Sequence, residues 1–389
     1  MKGFFTKKEL GQTESDCRKC KLYKGCKSPR MKASGKGKKR ILVIAESPGA
    51  EEDSKGIQFI GKAGQLLRNE LEKIDVDLDM DCWKINAVNC RPPKNRTPTK
   101  REITLCKPRV ESVIEETSPH IILLLGNIAL ESYLSNRYGK SIGGITKWRG
   151  FVIPDERWVM PMFHPNYILR SEGFPGVKKI FRQDLKNIDK YLDEPLPEKH
   201  ELKIHIVDNE HTANILEIIL NKPPTLLAFD YETNSIKCNG ENKKIICCSI
   251  CCIKNIAYVF ELKDKKVIKL WKEVLRNKDI SKVSHNCKFE HSWSKEILEA
   301  TVRGWKWDTM QAAHILDNRS GITGLKFQAY INFGIRDYSS HLDKYLRSEG
   351  GGNSLNEIDK ALQKELFEYC GRDSIYTREL ALGQMEEMK

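Results

Sequence analysis

No run of about 18 apolar residues occurs anywhere in the 389-residue sequence, so nothing in it reads as a membrane span. The opening, MKGFFTKKELGQTESDC, lacks both a long apolar stretch and a cleavage signal, which excludes an ordinary secretory leader and leads to the expectation of a cytoplasmic chain. There is no internal repeat and no long low-complexity tract, so solenoid and disordered-array architectures drop out. Acidic residues are also short: 53 Asp and Glu against 66 Lys and Arg leave a formal charge of +13. Such a surplus favours a polyanionic partner, and with no membrane signal that partner is expected to be nucleic acid.

What is present points first to two domains, because a chain this long exceeds one ordinary core at roughly 150 residues per domain. Thirteen cysteines would suggest disulfides in a small secreted domain, but in a large intracellular chain they read as metal ligands or reduced core residues. Cys247, Cys248, Cys251 and Cys252 lie in the apolar, strand-like IICCSICCI and are expected in a core, as are Cys238, Cys287 and Cys370. Cys17 and Cys20 form a CxxC in the basic segment SDCRKCKLYKGCKSPR, which has no core to join and favours a metal. In NCRPPKNRTP, Pro92 and Pro93 stiffen the chain beside Cys90, Arg91, Lys94 and Arg96. That loop is built to present either the thiol or the cations.

The pattern alternates strands and helices. RILVIAE, WKINAVN, HIILLLG and WVMPMFH read as strands, with helices through AGQLLRNELEKI and NIALESYL. This predicts an α/β fold on a mostly parallel sheet, with functional loops at the carboxyl ends of its strands. SPGAEED, NAVNCRPP, LGN and HPNYILR all fall there. From Tyr191 to Lys203 the pattern fades into YLDEPLPEKHELK, a charged, proline-broken linker, and LLAFDYE then restarts the alternation. The expected domains are therefore residues 1–190 and 204–389, joined by 191–203.

AESPGAEED, IQFIGKAGQLL, NAVNCRPPKNRTP, Cys106, LLLGNIAL, ITKWRG and PMFHPNYILR occur in this order over residues 14–190. The set resembles the iron–sulfur uracil-DNA glycosylases of family 4. The resemblance implies a three-layer α/β/α domain and a [4Fe–4S] cluster on Cys17, Cys20, Cys90 and Cys106; a zinc ion on the same thiolates is the alternative. Cys26 matches no ligand position. The resemblance also implies roles in the base pocket. Phe59 would stack on uracil, Asn86 would read its amide edge, His164 would donate a hydrogen bond to the departing base, and Glu46 would position water or stabilise the sugar. Arg91, Arg96 and Arg170 would contact the DNA backbone. The chain departs from the family pattern at Ala45, Ser47 and Asn166.

The second half carries Asp230 and Glu232 two apart on a strand, hence on one face, and YCGRD places Tyr369 and Asp373 four apart, on one face of a helix. With SHNCKFEHSW, KWDTMQAAHILD and GLKFQAYINFGI between them, this resembles the DnaQ-like, ribonuclease H-like 3′–5′ exonuclease domain of family A DNA polymerases, in its DEDDy form. The resemblance implies two Mg2+ or Mn2+ ions on Asp230, Glu232, Glu290 and Asp373, with Tyr369 orienting the attacking water. Glu290 stands where the family normally has Asp, and Asp308 reads as a capping residue. Together the resemblances imply a bifunctional DNA repair and proofreading protein, excising uracil and trimming 3′ ends. Such fusions look phage-like, with the host cytoplasm as location and a DNA polymerase as the expected partner; no palm or fingers follow the last motif. The competing expectation is a DNA-binding or polymerase-tethering subunit with one or both sites silent.

Overall fold

The computed structural model describes residues 17–171, 174–198, 201–348 and 354–389. The start of the first resemblance, residues 14–16, lies outside them. The chain divides into two compact units, Met1–Pro197 and Glu198–Lys389.

The first unit holds a six-stranded sheet made of β1 (Ser34–Gly35), β2 (Ile41–Ala45), β3 (Cys82–Asn86), β4 (Ile121–Leu125), β5 (Ile153–Pro154) and β6 (Trp158–Met162), in the order β1-β3-β2-β4-β6-β5. The four long strands run parallel, and β1 and β5 pair antiparallel at the edges. Every residue of β2, β4 and β6 is buried, as apolar runs such as ILVIA and IILLL must be when both faces are covered. The strands expected from the sequence are β2, β3, β4 and β6. Around them lie α1 (Ala50–Lys55), α2 (Lys62–Leu71), α3 (Lys100–Thr117), α4 (Gly126–Leu134), α5 (Ile145–Trp148), α6 (Pro165–Arg170) and α7 (Pro175–Tyr191). Because the central strands are parallel, their carboxyl ends share one edge. There the Ala87 and Val88 amides donate to the Ala45 and Glu46 carbonyls (2.8 and 3.0 Å), locking two functional loops together.

The second unit opens on β7 (Lys203–Ile206) and α8 (Asn209–Asn221), ahead of LLAFDYE, where the sequence reading restarted the alternation. It continues with β8 (Leu227–Thr233), β9 (Ile245–Ile253), β10 (Ile256–Phe260), α9 (Lys265–Arg276), β11 (Lys282–Ser284), α10 (Cys287–Ile297), β12 (Trp305–Asp308), α11 (Thr309–Leu316), α12 (Leu325–Phe333), α13 (Asp343–Leu346) and α14 (Gln363–Glu387). The sheet order is β12-β11-β8-β9-β10-β7, and it is mixed: β8, β9 and β10 form an antiparallel meander, whereas β11 and β12 run parallel to β8. IICCSICCI is the central strand β9, and Cys247, Cys248 and Cys251 are fully buried in it. The long helix α14 lies against the sheet, packing Ile375, Leu380 and Ala381 with Ala228 of β8 and Val283 of β11.

Candidate active sites

In the first unit the loops after β2, β3 and β6 enclose an open cleft of about 1030 Å³, lined by Glu46, Ser47, Pro48, Phe59, Asn86, His164, Asn166 and Arg170 among others. The four residues assigned to a base pocket from the sequence thus meet in one place. Asn86 ends β3 and is 5% exposed, so its carboxamide is shielded from solvent. Phe59 is buried with φ of +56°, a left-handed conformation that costs an aromatic residue energy and persists only when its surroundings impose it. Gly64 in α2 permits this: a Cβ there would stand 2.1 Å from the Phe59 carbonyl oxygen. Glu52, also at the cleft, accepts from the Gly61 amide (2.8 Å) and ties the SPGAEED loop to the one bearing Phe59.

His164 caps α6, and its Nδ1 accepts from the Asn166 amide at 3.1 Å. The ring proton therefore sits on Nε2. Burial and the nearby Arg170 cation depress its pKa to about 4, so the imidazole is a neutral N–H donor at pH 7. Burial raises the Glu46 carboxyl above its ordinary value, and Arg170 partly offsets this.

A second pocket of about 290 Å³ is lined by Cys17, Cys20, Leu22, Tyr23, Val88, Cys90, Leu105 and Cys106. All four expected ligands face it. Cys17 and Cys20 come from the amino-terminal segment, Cys90 from the proline loop and Cys106 from α3, whose start is fixed by a capping box between Thr99 and Glu102. The loop is shaped by a 3-10 turn at Pro93–Asn95 with Lys94 and Asn95 in the left-handed region. Backbone amides of Arg30 and Asn89 donate to the Cys90 and Cys106 sulfurs at 3.2 and 3.3 Å. Burial pushes the Cys90 thiol up to about 12 and raises Cys20 and Cys106, so these sulfurs become thiolates only beside a strong cation. Cys26 does not line this pocket; its thiol donates toward the Leu22 and Arg91 carbonyls and lies beside the Cys90 sulfur.

The expected phosphate contacts are not alike. Arg170 lines the cleft. Arg96 is instead clamped bidentately by Glu102 at 2.9 and 2.6 Å, so its charge is largely answered within the protein. Arg91 donates to Asn95 (2.6 Å) and lies 4.0 Å from Asp53. Asp53, which the sequence reading passed over, is 2% exposed and also accepts from the Lys27 and Ser28 amides, joining α1 to the segment beside the cysteine pocket.

In the second unit Asp230 and Glu232 project from β8, while Tyr369 and Asp373 lie one turn apart on α14. Glu290, in the first turn of α10, is 2% exposed and accepts from the Ser284 hydroxyl at 3.0 Å. Burial first, then mutual repulsion, raises Asp230, Glu232 and Glu290 well above the carboxylate range. Glu232 and Glu290 are buried and Asp230 is half-buried, and acids gathered in this way are a donor set that calls for cations. Asp308 caps α11 through the Met310 and Gln311 amides and also accepts from the Cys287 amide (2.8 Å), a structural part.

Sequence reasoning missed three neighbours. Lys326 of α12 pairs with both Asp373 oxygens, and the Tyr338 hydroxyl donates to one of them at 2.6 Å. The Cys370 sulfur, expected only as core, shares a cluster with Asp230 and Glu232 in which the ligand atoms all lie within 4.8 Å of one another. None of these carries a local signal, because each reaches the acids through packing between distant segments.

Residues 33–186 match the uracil DNA glycosylase superfamily, and residues 204–388 match a 3′–5′ exonuclease family. The chain is 35% identical over 178 residues to the type-4 uracil-DNA glycosylase of Sulfurisphaera tokodaii, covering 44% of this chain and 78% of that protein. It is 33% identical over 194 residues to the type-4 uracil-DNA glycosylase of Thermotoga maritima, covering 48% and 97%. A DNA polymerase of Bacillus phage SP01 is 26% identical over 321 residues, covering 74% of this chain and 34% of the polymerase. That alignment is longer than either unit, so it crosses both. Through its first half the chain belongs to the type-4 uracil-DNA glycosylase family, and it carries a 3′–5′ exonuclease domain fused behind it.

Proposed function

We propose that the protein excises uracil from DNA in its first unit and removes 3′-terminal nucleotides in its second. The observation that carries this reading is the convergence of Glu46, Phe59, Asn86 and His164 on one cleft, with a separate buried set of acids in the other unit.

An extruded uracil fits between these groups. Phe59 offers its ring for stacking, worth about 1–3 kcal/mol per base. The Asn86 carboxamide supplies one donor and one acceptor to the uracil edge, and its fixed orientation mismatches cytosine. As the glycosidic bond breaks, negative charge collects on the base. The neutral His164 Nε2–H then donates to that charge without needing a proton from solvent. Glu46 faces the sugar side, where it orients water or answers cationic character. Arg170 serves a DNA phosphate.

The cysteine pocket suits a [4Fe–4S] cluster better than one zinc ion. All four thiols line one pocket in the unit that is similar to the type-4 uracil-DNA glycosylases, and four cysteine thiolates are the usual holder of such a cluster. When bound, the cluster would supply a structural cross-link between the amino-terminal segment, the proline loop and α3.

In the second unit Asp230, Glu232 and Asp373 would hold two divalent ions, with Glu290 completing the acidic wall. When bound, Mg2+ or Mn2+ would activate water and neutralise the leaving oxygen. The Tyr369 hydroxyl would orient the attacking water. The alignment across both units with a phage DNA polymerase supports action alongside a polymerase, as a repair and proofreading front end.

Separation of the two activities on one chain tests the assignment. His164→Ala is expected to slow uracil release about 100-fold and leave 3′ digestion intact; Asp230→Ala is expected to do the reverse. Unchanged single-turnover excision by His164→Ala would contradict the pocket.

A further inference from the structure

The buried acids of the second unit already have one cation among them. Lys326 projects from α12 so that its ammonium contacts both carboxylate oxygens of Asp373, while the Asp373 side chain is only 7% exposed. The same ammonium lies over two aromatic faces, 4.2 Å from the centre of the Tyr369 ring and 4.5 Å from that of Tyr338. Tyr338 closes the arrangement by donating its hydroxyl to Asp373 at 2.6 Å. One lysine thus contacts a carboxylate assigned to metal binding and the tyrosine assigned to the attacking water. Its positive charge also lowers the carboxyls of Asp230 and Glu232 against the burial and repulsion that raise them.

The oxygens of Asp373 are spoken for on two sides, by an ammonium and by a phenol. These contacts take three of about four lone-pair sites, so a divalent ion on the same carboxylate would lie beside the ammonium, and two cations so close together repel. The lysine can yield: its side chain is 21% exposed, on a flexible four-carbon stem that reaches water without disturbing the core. Tyr338 needs no such move, because a neutral hydroxyl can share a carboxylate with a metal.

We propose, building on the exonuclease reading above, that Lys326 is a resident counter-cation which holds Asp373 and Tyr369 in place in the metal-free site and is displaced when a divalent ion binds. It is a positioning residue that competes with the metal. It keeps the acids and the tyrosine ordered between catalytic cycles, and it raises the metal concentration at which the site fills.

The test is Mn2+ binding by the full chain after removal of divalent ions, followed by loss of the free-Mn2+ resonance. Wild type is compared with Lys326→Met, Lys326→Arg and Asp230→Asn. Lys326→Met is expected to bind Mn2+ about tenfold more tightly, the order for removing one competing charge at a partly buried site. Lys326→Arg, which keeps the charge, is expected to stay near wild type. Thermal melting adds a second readout: Lys326→Met melts lower than wild type without metal, and the gap closes with saturating Mn2+. A purely structural lysine would leave the same gap under both conditions, and that result overturns the proposal. So does unchanged or weaker Mn2+ binding by Lys326→Met, or equal tightening by Lys326→Arg. If Asp230→Asn retains full Mn2+ binding, the metal-site assignment itself fails, a result distinct from failure of the lysine's role.

Discussion

Gly64→Ala is the substitution that probes the base pocket without replacing any side chain assigned to uracil. The added Cβ would lie 2.1 Å from the Phe59 carbonyl oxygen, 2.3 Å from its carbon and 2.5 Å from its Cα, where ordinary contact begins at 3.4 Å. The Phe59 backbone therefore has to retreat by about 1.3 Å, the difference between 3.4 and 2.1 Å. It has little freedom to do so gently, because its φ of +56° already sits in a narrow allowed region. Overpacking of this kind costs about 1–3 kcal/mol of stability. Displacement of a positioned group by about 1 Å costs roughly 100-fold in rate. The expected outcome is a folded protein whose kcat/KM for uracil excision falls about 100-fold, with 3′ digestion unchanged. Single-turnover excision from a uracil-containing strand measures it. The route through Phe59 is checked by a double-mutant cycle: once Phe59→Ala is present, adding Gly64→Ala is expected to cost little more. A folded Gly64→Ala enzyme within twofold of wild type, or costs that simply add, would refute the reasoning.

Excision is expected to run without an inflection at the ordinary histidine value of 6.5, because His164 stays neutral down to about pH 4. Since folding depresses this pKa, the stability tied to neutral His164 is complete above pH 6.5 and declines as pH falls toward 4. The acid limb of the rate profile is expected above the ordinary glutamate value and should vanish in Glu46→Gln; a limb at 6.5 removed by His164→Ala would count against the assignment. Glu290→Asp withdraws its carboxylate from Ser284 by about 1 Å and is expected to slow 3′ digestion by up to 100-fold, with Glu290→Ala slower still; equal rates across Mg2+ and Mn2+ concentrations would remove Glu290 from the site. Protein prepared without air is expected to be brown and to lose both iron and thermal stability in Cys90→Ala, whereas stoichiometric zinc in the wild type would contradict the cluster.

The parts of this chain legible in sequence are those whose signal is local. ILVIA and IILLL read as buried parallel strands because each is a short unbroken apolar run bounded by turn residues, and the carboxyl ends of β2, β3 and β6 place Glu46, Asn86 and His164 at one edge. The four cysteines that line one pocket were picked out in the sequence by the CxxC of Cys17 and Cys20 and, for Cys90 and Cys106, by the family resemblance. Lys326, Tyr338 and Cys370 were not, since their meaning arises only when α12 and the loop after it meet Asp373 on α14 and α14 sets Cys370 beside the acids on β8. The pairing of Arg96 with Glu102 was not legible either, since nothing in the stiff loop alone announces that the fold supplies a carboxylate partner. The short edge strands β1 and β5, two residues each, have no periodicity to read.

The central claim is that one chain holds two independent hydrolytic sites, one of which needs divalent metal. A 5′-labelled single strand with one internal uracil, incubated with the full chain with and without chelator, tests it most directly. The account predicts an alkali-labile break at the uracil under both conditions and a ladder of 3′-shortened products only when Mg2+ or Mn2+ is free. Loss of the uracil break on chelation, or a 3′ ladder that persists through it, would contradict the account.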